Sequence, residues 1–92
     1  MASYKATMMD AQTGGESRYP FEGPEDLLER TPVRVVRYFM ELVDRTILPA
    51  EHIDYELNFA LKNDHYKVVT AAGTLIRENG GTIPFLMMIA KA

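Results

Sequence analysis

The chain has 92 residues, of which 47% are apolar and 25% charged, and its formal net charge is −3 at neutral pH. Such a chain forms one domain, residues 1–92, whose small core would leave a monomer only marginally stable. The absence of cysteine excludes disulfides and thiolate metal sites. The weakly acidic balance and the lack of a long apolar run predict a soluble protein that binds neither nucleic acid nor membrane. We expect no signal peptide and a cytoplasmic location.

The N-terminal third of the chain predicts one strand followed by a long loop. Residues 3–10 alternate loosely between apolar and polar side chains, which indicates a first strand. Residues 11–23 are rich in Gly, Pro and small polar residues, which predicts a loop that is long for a compact domain. This loop carries Tyr19 and Phe21, so part of it is expected to pack onto the rest of the molecule.

A principal helix is predicted at residues 32–47, after a short helical turn that begins at Pro24. Thr31 can be its N-cap and Pro32 its first helical residue. Pro49 is expected to end it. Apolar residues recur at the three-four spacing of one helical face. They are Val36, Phe39, Met40, Val43 and Ile47.

Three strands are expected after the helix, at residues 53–62, 65–77 and 82–91. Two-residue turns are predicted between them, the first at Asn63-Asp64 and the second within the ENGG stretch at 78–81. Asn and Gly accept positive φ at little cost, which makes both places typical of hairpin turns.

The order of elements predicts an α+β fold, β-α-β-β-β. We expect a mainly antiparallel four-stranded sheet with the principal helix packed on one face. If the first strand lies in the same sheet, a right-handed crossover would make it parallel to residues 53–62. Pro84 cannot donate a hydrogen bond, which places the last strand at an edge of the sheet or predicts a bulge there.

The alternation of IDYELNFALK at 53–62 predicts which residues face the helix. Its odd-numbered residues are apolar, and two-residue turns would place even-numbered residues of the next strand on the same face. The third strand then contributes odd-numbered residues again. The residues expected in the core are Ile53, Tyr55, Leu57, Phe59, Leu61, Tyr66, Val68, Ile76, Phe85, Met87 and Ile89.

The opposite face is predicted to be polar on the strand at 53–62 but apolar on the two that follow. A solvated face of an antiparallel sheet normally stays polar across its width. A contiguous apolar patch therefore indicates an interaction surface, and small residues in its middle would let another backbone approach. The candidate interface residues are Val69, Ala71, Leu75, Leu86, Met88 and Ala90.

Three alternatives could cover this face: a second copy of the chain, the 11–23 loop, or a ligand or different protein. The leading hypothesis is a non-enzymatic domain that self-associates through this face, because symmetric dimers are the commonest assembly and a small core benefits from one. A further protein partner is an additional expectation.

The alternative hypothesis is a small-molecule binder or simple enzyme. Its pocket would lie between the same sheet face and the 11–23 loop, or at a dimer seam. Asp54 and Glu56 lie side by side on one strand, where paired carboxylates can share acid and base roles. His52 and His65 are too far apart to share a metal ion, so neither a metal site nor a cofactor is expected. The candidate ligand-binding residues are Tyr19, His52, Asp54 and Glu56.

Arginines mark the outward side of the predicted helix. Glu41 lies four residues from both Arg37 and Arg45, a spacing that favours helix-stabilising ion pairs. An anion-binding surface that includes Arg34 is the functional alternative.

Overall fold

The computed structural model describes residues 1–47 and 52–92, and it has the predicted α+β character. A 3-10 turn at Leu27–Glu29 precedes the helix, and a π-helical turn at Val43–Ile47 follows it. The main elements are β1 (Ala2–Asp10), β2 (Glu16–Gly23), α1 (Pro32–Leu42), β3 (Asp54–Asn63), β4 (Val68–Ile76) and β5 (Thr82–Lys91).

All five strands form one antiparallel sheet in the order β2-β1-β5-β4-β3. The prediction of four strands is wrong, because most of the predicted 11–23 loop is β2. Pro20 and the glycines concealed this strand, yet its alternation is regular, with Tyr19 and Phe21 toward the helix and exposed residues between them. Proline is tolerated there because β2 lies at an edge.

The first strand runs in a direction that the sequence did not predict. β1 pairs with β5 and is antiparallel to it, so β1 and β3 run in opposite directions. The hairpin of β1 and β2 reverses the chain before α1, and the helix therefore connects β2 with β3, at opposite edges of the sheet.

Pro84 lies in a central strand rather than at an edge. Its carbonyl accepts a hydrogen bond from the Ala11 backbone N–H at 2.9 Å. In an antiparallel ladder the nitrogen and the carbonyl of one residue point to the same neighbour. The nitrogen of Pro84 therefore faces the chain just beyond β1, where the β1–β5 pairing has ended at Asp10.

The β3–β4 turn contains four residues, 64–67, rather than the predicted two. The Asn63 side-chain oxygen accepts hydrogen bonds from the backbone N–H groups of His65 and Tyr66, both at 3.0 Å. Lys67 closes the turn with φ +56° and donates to the Asn63 carbonyl at 2.7 Å. Asn63 thus stabilises a longer turn than the one expected at this place.

The β4–β5 loop has three residues, 78–80, instead of two. Arg77 N–H donates to the Gly81 carbonyl at 2.8 Å, and Gly80, with φ +86°, donates to the Arg77 carbonyl at 2.9 Å. This is the three-residue hairpin loop that needs glycine in its left-handed position. Compared with a two-residue loop, it reverses the facing of β4 relative to β5.

The reversal puts the odd-numbered residues of β4 on the helix side. Val69 and Ala71 are fully buried and Leu75 packs against the core, so their predicted placement on the opposite face is wrong. Even-numbered β4 residues, which include Val68 and Ile76, lie on the other side.

A β-bulge at Asn58 inverts the facing of the side chains along β3. Odd-numbered residues point to the helix side before the bulge and to the opposite side after it. Leu57 pairs with Gly73, and Phe59 pairs with the preceding residue Ala72, which leaves Asn58 unpaired. Leu57 packs on the helix side, as expected, but Phe59 beyond the bulge is 43% exposed on the other face.

Leu61 and Tyr66 were also predicted in the core and are not in it. Leu61 follows Phe59 on the outward side of the bulged strand and is 63% exposed. Tyr66 belongs to the four-residue turn, where it contacts the ring of His65 and stays largely exposed.

The core lies between α1 and the sheet. The helix begins at Pro32 with Thr31 as its N-cap, as predicted. Four of the five predicted helix residues are buried; the side chain of Ile47, like Pro49, lies outside the described part of the chain. The buried set is Tyr4, Ala6, Phe21, Leu27, Leu28, Val35, Val36, Phe39, Met40, Val43, Val69, Ala71, Phe85, Met87 and Ile89.

Aromatic contacts extend the core to the β2 edge. Phe21 lies 5.3 Å from Phe39 of α1 and 5.6 Å from Tyr4 of β1, ring centre to ring centre. The Tyr4 hydroxyl donates a hydrogen bond to the Pro24 carbonyl, and burial raises the pKa of Tyr4 above its ordinary value. This bond ties the segment before α1 to the sheet.

Gly73→Ala should destabilise the protein, because a Cβ at this position would lie only 1.9 Å from the Glu56 carbonyl oxygen. Since that atom belongs to the β3 backbone, the strand itself must shift, and we expect the free energy of unfolding to fall by about 2–3 kcal/mol. Urea denaturation measures it.

Gly15→Ala is the matched control, since the nearest neighbour of its added Cβ is the Thr13 hydroxyl at 3.3 Å. We expect a change within about 0.5 kcal/mol. Equal losses in the two variants would contradict the close approach at Gly73.

Candidate functional site

The sheet face turned away from α1, here called the open face, carries a contiguous apolar patch. Two neighbouring rows of cross-strand partners form it: Leu61, Thr70 and Met88 in one row, Phe59, Ala72 and Leu86 in the next. Its four large side chains are between 42% and 63% exposed. We define the open-face patch as Phe59, Leu61, Ala72, Leu86 and Met88.

The predicted interface residues divide between the two faces. Leu86, Met88 and Ala90 lie on the open face, while Val69, Ala71 and Leu75 face α1 and are not available to a partner. The sequence missed Phe59 and Leu61 as surface residues, because their alternation carries no sign of the bulge. A glycine in the middle of β4, Gly73, is the one signal that could have indicated it.

A groove lies beside the open-face patch, on β1, β2 and β5. It has a volume of about 430 Å³ and its floor is apolar, formed by Met9, Met88 and Ala90. Lys5 and Arg18 supply positive charge. Arg18 contacts Glu16 at 3.1 Å, whereas Lys5 makes no ion pair with any described residue. The residues that line it are Lys5, Thr7, Met9, Glu16, Arg18, Met88 and Ala90.

A cluster of ionisable groups surrounds His52 at the start of β3. Its Nδ1 lies 3.2 Å from a carboxylate oxygen of Asp44, and its Nε2 lies 3.0 Å from one of Asp54. The backbone N–H of His52 donates to the Glu78 carboxylate at 3.1 Å. Three separate elements therefore meet at this residue: the π-helical turn, β3 and the β4–β5 loop.

The two aspartates stabilise the charged form of His52. The hydrogen bond from the ring to Asp54, followed by the negative charges of Asp44 and Asp54, raises the pKa of His52 above 6.5. The imidazole is exposed to solvent, so these contacts are open to water and salt.

The four predicted ligand-binding residues are not all brought together. His52 and Asp54 are in contact, and Glu56 is exposed two residues farther along β3. Tyr19 lies at the opposite edge of the sheet, on the helix side, with its ring centre 6.0 Å from that of Phe39. Asp44 and Glu78 complete the His52 cluster and were not predicted, because they come from other elements of the fold.

A shallow groove of about 310 Å³ lies on the outward side of α1. Arg30 contacts Asp26 at 3.5 Å. In the part of the chain that the structure describes, Glu41 forms no ion pair with Arg37 or Arg45, contrary to the prediction. The residues that line this groove are Arg30, Arg34, Arg37, Tyr38 and Glu41.

Within residues 1–47 and 52–92, no group of three His, Asp or Glu side chains is arranged to hold a metal ion. No helix in the same part of the chain is long and apolar enough to cross a membrane. Comparison with known protein families, curated proteins and solved structures finds no match to this chain.

Asp54→Asn should lower the pKa of His52, because it removes the strongest of the contacts that favour the imidazolium. NMR titration of the His52 ring protons measures the midpoint. Because the folded pKa is raised, the cluster stabilises the fold below about pH 6.5 and loses this effect as the pH rises through the folded pKa.

Asp64→Asn is the control for that titration. It also removes one negative charge, but from the β3–β4 turn, at the other end of β3. The His52 midpoint should stay unchanged in this variant. An unaltered midpoint in Asp54→Asn would contradict the assigned contact.

Proposed function

We propose that this protein is a non-enzymatic assembly domain that forms a homodimer through the open-face patch. The observation that carries the proposal is the exposure of Phe59 and Leu61 on β3 and of Leu86 and Met88 on β5, on the same sheet face and separated by Thr70 and Ala72 of β4. Isolated exposed apolar residues are ordinary, but a contiguous set of this kind is typical of an interaction surface.

The layer architecture supports this proposal. Small domains consist of at least two packed layers, and here α1 supplies a cover for only one face of the sheet. A sheet of five strands of eight to ten residues offers a face of about 700 Å², from strand spacings of about 4.8 Å and rises of about 3.3 Å per residue. Contact across the whole open face, with the polar margins of the patch included, would therefore approach the roughly 800 Å² that each partner buries in a standard interface.

The pattern of the open face is self-complementary. A twofold axis that crosses the strands between the two rows would stack each row on the other row of the partner. Met88 and Leu61 would then face the partner's Leu86 and Phe59. The same operation would bring Arg18 opposite the partner's Glu16, which has the opposite charge, at the β2 margin.

Leu86→Glu should convert the dimer into a monomer, because twofold symmetry would bury two carboxylates in an apolar contact. We expect the dissociation constant to rise at least about 100-fold. Sedimentation velocity at micromolar concentrations measures the association, and circular dichroism verifies that the variant is folded.

Val33→Glu provides the matched control. Val33 is 46% exposed, similar to Leu86, but it lies in the first turn of α1, where a carboxylate is favourable. This variant should remain dimeric. A wild-type protein that sediments as a strict monomer would refute the proposed function.

A second candidate function is the binding of a small amphipathic anion in the groove of β1, β2 and β5. The apolar floor and the cation of Lys5 favour such a ligand. Met88 belongs both to this groove and to the open-face patch, so a ligand and a partner would contact the same side chain.

Anilinonaphthalene sulfonate, an aromatic sulfonate whose fluorescence rises in apolar sites, is a suitable probe for the groove. Lys5→Gln should weaken its binding several-fold, because the cation beside the apolar floor is lost. Lys91→Gln, which removes a charge at the end of β5 outside this groove, should bind as the wild type does. Equal affinities in all three proteins would exclude this site.

A further inference from the structure

His52 connects three elements that are far apart in sequence. Asp44 lies in the turn that follows α1, Asp54 is the first residue of β3, and Glu78 lies in the β4–β5 loop. Asp44 also accepts a hydrogen bond from the Ile53 backbone N–H at 3.4 Å. The start of β3 is therefore held by side-chain contacts from the π-helical turn, through Asp44, and from the β4–β5 loop, through Glu78.

The positions of the carboxylates distinguish the two protonation states of the ring. A neutral imidazole has one N–H and cannot donate to both Asp44 and Asp54, whereas an imidazolium donates from both nitrogens. The distances of 3.2 Å and 3.0 Å from the two nitrogens thus fit the charged ring. Loss of the proton breaks one of these contacts and leaves two carboxylates beside an uncharged ring.

We propose that His52 is a pH-operated latch that fastens the end of the helical segment to the start of β3 when its ring is protonated. When the ring is neutral it can donate to only one of Asp44 and Asp54, and repulsion between these carboxylates loosens the junction, whereas the Glu78 contact runs through the His52 backbone N–H and does not depend on the ring proton. The effect is local, since the core between α1 and the sheet contains none of these side chains.

The charged residues next to Asp44 and Glu78 in the sequence do not change the direction of the pH response. Arg45 follows Asp44 in the π-helical turn, and Arg77 precedes Glu78 in the hairpin. Arginine keeps its charge throughout the range in which histidine titrates. Histidine is the side chain whose charge ordinarily changes near neutral pH, so His52 sets the direction of the response.

Amide hydrogen exchange, corrected for the intrinsic pH dependence of exchange, tests the latch at the Ile53 N–H. We expect protection of this amide to fall by about threefold as the pH rises from about 5 to about 8, a small change because the contacts are exposed. The midpoint of this change should coincide with the His52 titration measured by NMR.

The two histidines provide matched variants. His52→Gln should remove the pH dependence at Ile53, since glutamine does not titrate. His65→Gln should retain it, because His65 lies in the turn at the other end of β3. A pH dependence that survives in His52→Gln, or that is absent from the wild type, would overturn the latch. The outcome does not depend on whether the protein is a dimer.

Discussion

The close approach of the β3 backbone to Gly73 determines which side chains the sheet exposes. The Glu56 carbonyl oxygen lies where any other residue at position 73 would place its Cβ. This space lets β3 accommodate the extra residue Asn58 beside β4, and the bulge reverses the facing of the β3 residues that follow it. Without it, Phe59 and Leu61 would lie on the helix side and the open face would be largely polar along β3.

The same reversal brings a charged residue to the helix side. Lys62 lies beyond the bulge, and its ammonium group donates hydrogen bonds to the carbonyls of Leu28 and Arg30, each at 3.3 Å. Leu28 lies in the 3-10 turn before α1, and Arg30 is the residue that caps the end of this turn. The lysine therefore satisfies carbonyl acceptors that the short turn leaves without partners. One glycine thus permits both an apolar patch outside and a polar attachment inside.

The sequence predicted the elements that depend on local signals. The Thr31-Pro32 helix start, the apolar face of α1 and the three later strands all follow from neighbouring residues. The facing of β4 did not, because the ENGG stretch suits loops of two or three residues and a change of one residue inverts the strand. The bulge depends on Gly73, which lies in the neighbouring strand, so no pattern within β3 could reveal it.

The candidate sites show the same limit of local information. The contact of His52 with Asp54 joins residues two apart at a strand end, and the sequence placed both in one candidate set. Asp44 and Glu78 reach the cluster only because the π-helical turn after α1, the start of β3 and the β4–β5 loop meet there. Non-local packing therefore turned a pair of residues into a junction between three elements.

The edges of the sheet also bear on how two copies could meet. Strand edges are the usual routes of unwanted pairing, and charges, prolines and bulges make them unsuitable for it. β2 presents Pro20 and exposed charged residues, and β3 carries the bulge at Asn58 together with exposed Asp54 and Glu56. Extension of the sheet is thus disfavoured at the β2 edge by Pro20 and the charges, and at the β3 edge by the bulge that also exposes Phe59. The face-to-face packing proposed for the open face requires no regular edge.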